Sequence, residues 1–160
     1  MIVVSDATCV NHLIRSETVF ILLELFGSVV IPPAVLSELQ SPNTPNQVKD
    51  FLADKPFWLE VRKPEKIFDF KLNILDNGER EAIMLAEELH ADLLLMDEKL
   101  GRKIAFERNL PVAGTLAVLL TASRKNLINF PSALNRLKST GFYISDSLEK
   151  DFLRRSFEQN

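Results

Sequence analysis

Short, unbroken apolar runs alternate along the chain with longer stretches in which apolar residues recur at helical spacing. That alternation predicts an α/β architecture with a parallel sheet. Ile2-Val3-Val4 forms the first run, Val29-Val30-Ile31 the second, Trp58 to Val61 a weaker third and Leu93-Leu94-Leu95-Met96 the fourth, with a last short one at Pro111 to Ala113. Runs without polar interruption suit strands covered on both faces by crossover helices.

Helices are expected between the runs. Thr18 to Phe26 is mostly apolar, and Pro32-Pro33 followed by Ala34 to Leu39 starts a helix, because proline is tolerated in a first turn. Ser41 to Pro45 reads as a loop and Asn46 to Ala53 as a polar helix. Asn77 can cap a helix that continues through Glu79-Arg80-Glu81-Ala82-Ile83 to about Leu89. Asp97 to Arg108 is charged and helical, Thr115 to Lys125 is apolar, and Pro131 to Lys138 precedes a turn at Gly141. A final amphipathic helix, capped by Ser145, places Leu148, Phe152 and Phe157 on one side. With no internal repeat, low-complexity tract or linker, the expected organisation is one domain with a helical C-terminal appendix.

Composition narrows this picture. The 160 residues match one domain, and 46% hydrophobic content supplies a real core, which excludes intrinsic disorder. With 19 Lys and Arg against 22 Asp and Glu, the net charge of −3 argues against a coat protein that binds nucleic acid through clustered basic residues. It does not exclude an enzyme that grips nucleic acid through a bound cation. Cys9 is the lone cysteine, so no intramolecular disulfide forms, and with His12 and His90 it cannot build a structural zinc site. Both histidines read as surface or helix-end residues and Cys9 as a core thiol. The segment MIVVSDATCV lacks the basic start of a signal peptide. The longest apolar run, Val19 to Phe26, is interrupted by Glu24 and is far short of the roughly 18 to 20 residues that span a bilayer. A soluble cytoplasmic protein is expected.

In open parallel sheets ligands bind beyond the carboxyl ends of the strands, so the first polar residue after each run is the place to look. Asp6 follows the first run and Asp97 the fourth. Either alone reads most simply as a helix cap or turn residue, but two at equivalent strand ends point further. Glu38 lies just beyond the second run. Glu79 sits in the first turn of LDNGEREAIMLAEEL on the stripe shared with Ile83 and Ala86, where a dipole-favoured or solvated acid is the plainer alternative. Four carboxylates converging at one end of a sheet repel one another unless a cation neutralises them, and all-oxygen ligation selects Mg²⁺ or Mn²⁺ over zinc. Such a site serves phosphodiester hydrolysis, in which metal ions activate water and stabilise the leaving oxygen. Lys99, Arg102 and Lys103, at i, i+3 and i+4, make one basic helix face suited to gripping a substrate, or simply a solvated one.

The stretches VVSDATCVNHL, VIPPAVLSEL, LDNGEREAIMLAEEL, DLLLMDEKLGRKIAFERNLPVAGTLAVLL and LNRLKSTGFYISDSLEKDFL, in that order, resemble the PIN-domain nucleases. The resemblance covers most of the chain. It is to the compact prokaryotic branch that includes the toxins of VapBC-type toxin–antitoxin pairs and related predicted nucleic-acid-binding proteins. It implies a three-layer α/β/α fold around a central, mainly parallel sheet of about four to five strands. The nuclease core would then be residues 1–125 and the helical extension 126–160. The family's acids fall on Asp6, Glu38, Glu79 and Asp97. Relatives often carry aspartate at the third position, with Asp76 the competing residue here, and Glu98 stands where many have a further acid. Thr8 and Asn11 occupy small-polar positions beside the first aspartate, as alternatives a helix cap and a surface residue. Thr115 matches a hydroxyl position near the acids, although it is also a natural helix cap. Arg102 matches a basic position that pairs with carboxylates or holds phosphate. The resemblance implies a Mg²⁺- or Mn²⁺-dependent endoribonuclease acting on RNA as a toxin, with a cognate antitoxin and homodimerisation.

Two other classes compete. A non-catalytic PIN-like module would keep the acids but act by binding nucleic acid or protein, with Phe152 and Phe157 offered to a dimer or an antitoxin. An aspartyl phosphatase of the haloacid dehalogenase type needs Asp-x-Asp after the first strand, and Asp6-Ala7-Thr8 lacks the second acid; a phosphoacceptor receiver fits no better. Assigning four acids to a cation site leaves 18 against 19 basic residues, so the mild acidity marks a site and does not argue against a nucleic-acid substrate.

Overall fold

Each predicted apolar run becomes a strand, and every pairing is parallel. β1 (Val3–Ser5), β2 (Val29–Ile31), β3 (Leu59–Val61), β4 (Leu93–Leu95) and β5 (Val112–Ala113) form one five-stranded sheet in the order β3-β2-β1-β4-β5. The structure is a computed structural model that describes residues 1–158; the last two residues of the extension expected from sequence, 159–160, lie outside the described residues. The chain builds outward from β1 to β2 and β3, then crosses back to place β4 on the other side of β1. β1 and β4 therefore flank the point where the strand order reverses, and a crevice opens there beyond the strand ends.

Side chains alternate across the strands and feed a core on each face. Val3, Val29, Ile31 and Leu95 join one core, with α1 (Ala7–Arg15), α2 (Phe20–Phe26), α4 (Asn46–Ala53), α7 (Thr115–Arg124) and α8 (Phe130–Ser139). Val4, Val30 and Leu94 join the other, with α5 (Asn77–Glu88) and α6 (Lys99–Glu107). The result is a three-layer α/β/α fold. α3 (Pro33–Leu39) lies against α5, and α9 (Asp146–Phe157) packs on α7 and α8.

Several boundaries differ from those expected, each for a local reason. α1, which the apolar pattern does not mark out, begins at Asp6, whose carboxylate caps it; Thr8, offered as a cap, instead lies exposed in its first turn. Asp76, not Asn77, caps α5, its Oδ1 accepting from the Glu79 N–H at 2.8 Å. The helix expected from Asp97 starts at Lys99, because Asp97 lies outside the helix and Glu98 is still extended as its N-terminal cap residue. Ser145 caps α9 as expected, but of the three residues expected on its apolar side only Phe152 packs inward, stacking on Phe130 with centroids 6.3 Å apart, and its neighbour Leu153 joins it against the core. Leu148 and Phe157 are exposed. His12 lies in the last turn of α1, the helix-end position expected, and is half-buried there, with Nδ1 3.0 Å from Thr140 Oγ1 and its ring against the edge of Phe142.

α3 opens with Pro32-Pro33 and has no side-chain cap of its own. Its Ala34 N–H donates instead to Glu81 Oε2 of α5 at 2.8 Å, a bond that fixes the helix carrying Glu38 against the helix carrying Glu79. Replacing Glu81 with Ala removes a helix-terminal acceptor and is expected to cost about 1 kcal/mol. A lowered urea midpoint together with faster hydrogen exchange at Ala34 checks this; an unchanged midpoint contradicts it.

Candidate active site

Asp6 emerges from the centre of the sheet. Its N–H donates to the Leu95 carbonyl at 3.0 Å, extending the β1–β4 ladder, and its side chain is 2% exposed. Oδ1 accepts from the Cys9 N–H at 3.0 Å as the cap of α1. Oδ2 is buried with no hydrogen-bond partner, and among the described residues no other buried side-chain nitrogen or oxygen is left so. An unpaired buried acceptor costs about 1–3 kcal/mol, and more if charged. Burial pushes this carboxyl well above the usual carboxylate range; the Cys9 N–H opposes it, while the charges of Asp97, Glu79 and Glu38 add to it. Oδ1 of Asp6 therefore serves as the helix cap, and Oδ2 is left over from that role.

Asp97 is held by Thr115. Oδ1 accepts from the Thr115 N–H at 2.7 Å and Oδ2 from its hydroxyl at 2.6 Å. Thr115 is not the cap of α7; Gly114 is, and the carboxylate of Asp97 takes the cap's place at the helix start. A Cβ on Gly114 would stand 2.8 Å from Asp97 Oδ1 and 2.9 Å from Arg102 Nη1, so a side chain there would push the acid off the helix. The fully buried Cys9 Sγ lies 3.3 Å from the same hydroxyl. Burial and the neighbouring acids push its thiol up, which makes it an inert core group.

Glu79 and Glu38 approach from the α3–α5 pair. Burial, then the charge and hydrogen bond of Asp76, raise Glu79 from 4.5 to about 7, with Glu98 adding to the effect. Partial burial of its carboxyl, then the charge of Asp76, also raises Glu38. Gly78 makes this approach possible: a Cβ there would meet Glu38 Oε2 at 3.0 Å and Asp76 Oδ1 at 3.6 Å. Asp76 thus belongs to the cluster both as helix cap and as charge. Among the described residues, no three acidic, histidine or cysteine side chains stand close enough to form a ready-made metal cage.

The remaining candidates separate. Thr8, Asp97, Glu98, Arg102 and Gly114 share the wall of a groove of about 400 Å³. Asn11 is half-buried further along α1, outside that wall. Lys99, Arg102 and Lys103 are all exposed, but only Arg102 reaches the groove; Lys103 joins Arg102 and Phe106 around a second hollow, and Lys99 borders neither. Sequence reasoning missed Phe142 and Tyr143, which complete the groove from the segment before α9. The signal available was an aromatic pair directly after a turn glycine, Gly141 at φ +89°.

The class these features define is a three-layer α/β/α protein with an acidic crevice at the switch point of a parallel sheet. A family model described as a PIN domain matches residues 2–158, and the chain belongs to that family. The fold is accordingly of nuclease type, and PIN domains generally are hydrolases that use divalent metal ions. No curated protein and no solved structure matches the chain. No helix among the described residues is long and apolar enough to cross a membrane.

Because folding raises Glu79 above its ordinary value, the folded state binds more protons than the unfolded chain between about 4.5 and 7. The contribution of Glu79 to stability is therefore full below that window and is lost as pH rises through it. Glu79→Gln is expected to flatten the fall in EDTA-treated protein, measured as urea midpoints across the window. An unchanged slope contradicts the assignment.

Proposed function

We propose that the protein is an endoribonuclease that hydrolyses RNA phosphodiester bonds with Mg²⁺ or Mn²⁺ held by Asp6 and Asp97, Glu38 and Glu79 completing the set. The observation that carries this reading is Asp6 Oδ2, a buried oxygen without a partner, on a carboxyl that also feels the charges of Asp97, Glu79 and Glu38. An all-oxygen donor set of this kind fits a hard divalent cation. When bound, the cation supplies positive charge that activates water and stabilises the leaving oxygen. Thr115 fixes the orientation of Asp97, each of whose oxygens keeps a free lone pair beyond the bond it accepts. Glu38 and Glu79, reaching in from α3 and α5, would also orient the attacking water. Arg102, in the groove beside Asp97, suits a phosphate oxygen, while Glu98 and Thr8 shape the entrance.

By resemblance to the VapBC-type toxins, the reading extends to a cytoplasmic toxin that forms a homodimer and is restrained by a cognate antitoxin. The lack of a preformed cage among the described residues favours one second reading, a PIN-like module that binds nucleic acid or protein without cutting it.

RNA cleavage separates the two. Asp6→Asn keeps an oxygen to cap α1, so the fold is retained. Its cleavage rate is expected to fall about a hundredfold or more. EDTA should abolish cleavage by the parent protein and Mn²⁺ restore it. Undiminished cleavage by Asp6→Asn, or in excess EDTA, overturns the nuclease reading.

A further inference from the structure

The groove beside the acidic crevice has two chemistries in one wall. Part of it carries Asp97, Glu98 and Arg102; the rest, from α7, the segment before α9 and α9 itself, is apolar and aromatic, with Leu116, Phe142, Tyr143 and Leu148. At about 400 Å³ it lies at the small end of the ~300–1,000 Å³ typical of ligand pockets. Tyr143 is 86% exposed and makes no hydrogen bond among the described residues, yet the segment that presents it is fixed on both sides. Before it, Thr140 Oγ1 donates to the Leu137 carbonyl at 2.6 Å, and Phe142 sits edge-on to His12 at 5.1 Å. After it, Ser145 Oγ accepts from the Leu148 N–H at 3.3 Å. The backbone that carries Tyr143 is thus fixed at the groove, so only the ring's own rotamer is left to be ordered on binding.

We propose that this groove is the subsite for one unpaired nucleobase next to the scissile phosphate, with Tyr143 as its stacking surface and Arg102 on the adjoining phosphate. The proposal rests on the nuclease reading and deepens it by assigning residues of this chain to the base and the phosphate beside the cut. A nucleotide pairs a flat apolar base with a charged phosphate, which matches the juxtaposition of aromatic wall and guanidinium. Continuity with the acidic crevice favours the substrate strand over a protein segment, because any occupant lies directly beside Asp97. Bases paired within an A-form helix are stacked and inaccessible to such a surface, whereas unpaired ones can be splayed onto an aromatic ring.

The test uses Asp6→Asn protein, to hold the strand uncut, and an RNA oligonucleotide carrying 2-aminopurine, whose fluorescence is quenched on stacking. Quenching is expected with single-stranded and not with duplex RNA. It should persist in Tyr143→Phe and disappear in Tyr143→Ala, with affinity lowered about five- to a hundredfold. Phe57→Ala, an 85% exposed aromatic just before β3, serves as the control and should change nothing. In a protein with Asp6 restored, Tyr143→Ala should raise KM for single-stranded RNA by a similar factor. Unchanged quenching and unchanged KM in Tyr143→Ala overturn the subsite while leaving the nuclease reading intact, whether the groove then takes a protein segment or nothing. Tyr143-dependent quenching without any cleavage by the parent protein supports the subsite and overturns the nuclease reading.

Discussion

A carboxylate removed from water must be protonated, fully hydrogen-bonded or matched by positive charge. Asp6 is buried at the carboxyl end of the central strand with one oxygen spent on capping α1 and the other left without a partner. Its position is set by the sheet and not by its own side chain: the Asp6 N–H continues the ladder to Leu95. The acid cannot retreat to solvent without disturbing both β1 and the start of α1. Metal-free, the protein meets this constraint by holding the Asp6 carboxyl well above the usual carboxylate range. In the proposed function a divalent cation meets it instead, and the cost of burying the acid becomes affinity for the metal.

The rest of the architecture brings charge toward that oxygen. The reversal of strand order between β1 and β4 places Asp97 beside Asp6, and Thr115 fixes Asp97 through two hydrogen bonds at the head of α7. The bond from Ala34 to Glu81 docks α3 on α5, which carries Glu38 toward Glu79 and Asp76. Two glycines permit these approaches, Gly114 under Asp97 and Gly78 under Glu38, where a Cβ would come within 3.0 Å of a carboxylate oxygen. The same packing that stabilises the domain therefore builds a repulsive cluster, which is the usual trade at a functional site.

The strands were legible because burial on both faces leaves unbroken apolar runs such as Leu93-Leu94-Leu95-Met96, and that pattern needs no tertiary information. Asp6 and Asp97 stood out for the same reason, as the first acids after such runs. Their adjacency was not legible locally, because strand order is a property of the whole chain. Caps were misassigned where adjacent residues compete: Asp76 and Asn77 are both good caps, and only the backbone selects the first. Thr115 read equally well as a cap until the Asp97 carboxylate was seen in that role. The groove stayed hidden because Tyr143 and Asp97 lie far apart in sequence and meet only once α9 folds back on α7. Even the net charge of −3 is legible only in part, since it sums a concentrated acidic crevice with basic residues elsewhere.

The central claim is that the unpartnered oxygen of Asp6 is compensated by a divalent cation. Calorimetric titration of Mn²⁺ into the protein, and into Asp6→Asn, tests it most directly. The account predicts one saturable binding event tighter than about millimolar, accompanied by proton release from the acidic cluster and lost in Asp6→Asn. No saturable binding to the parent protein, or equal binding to Asp6→Asn, would contradict it.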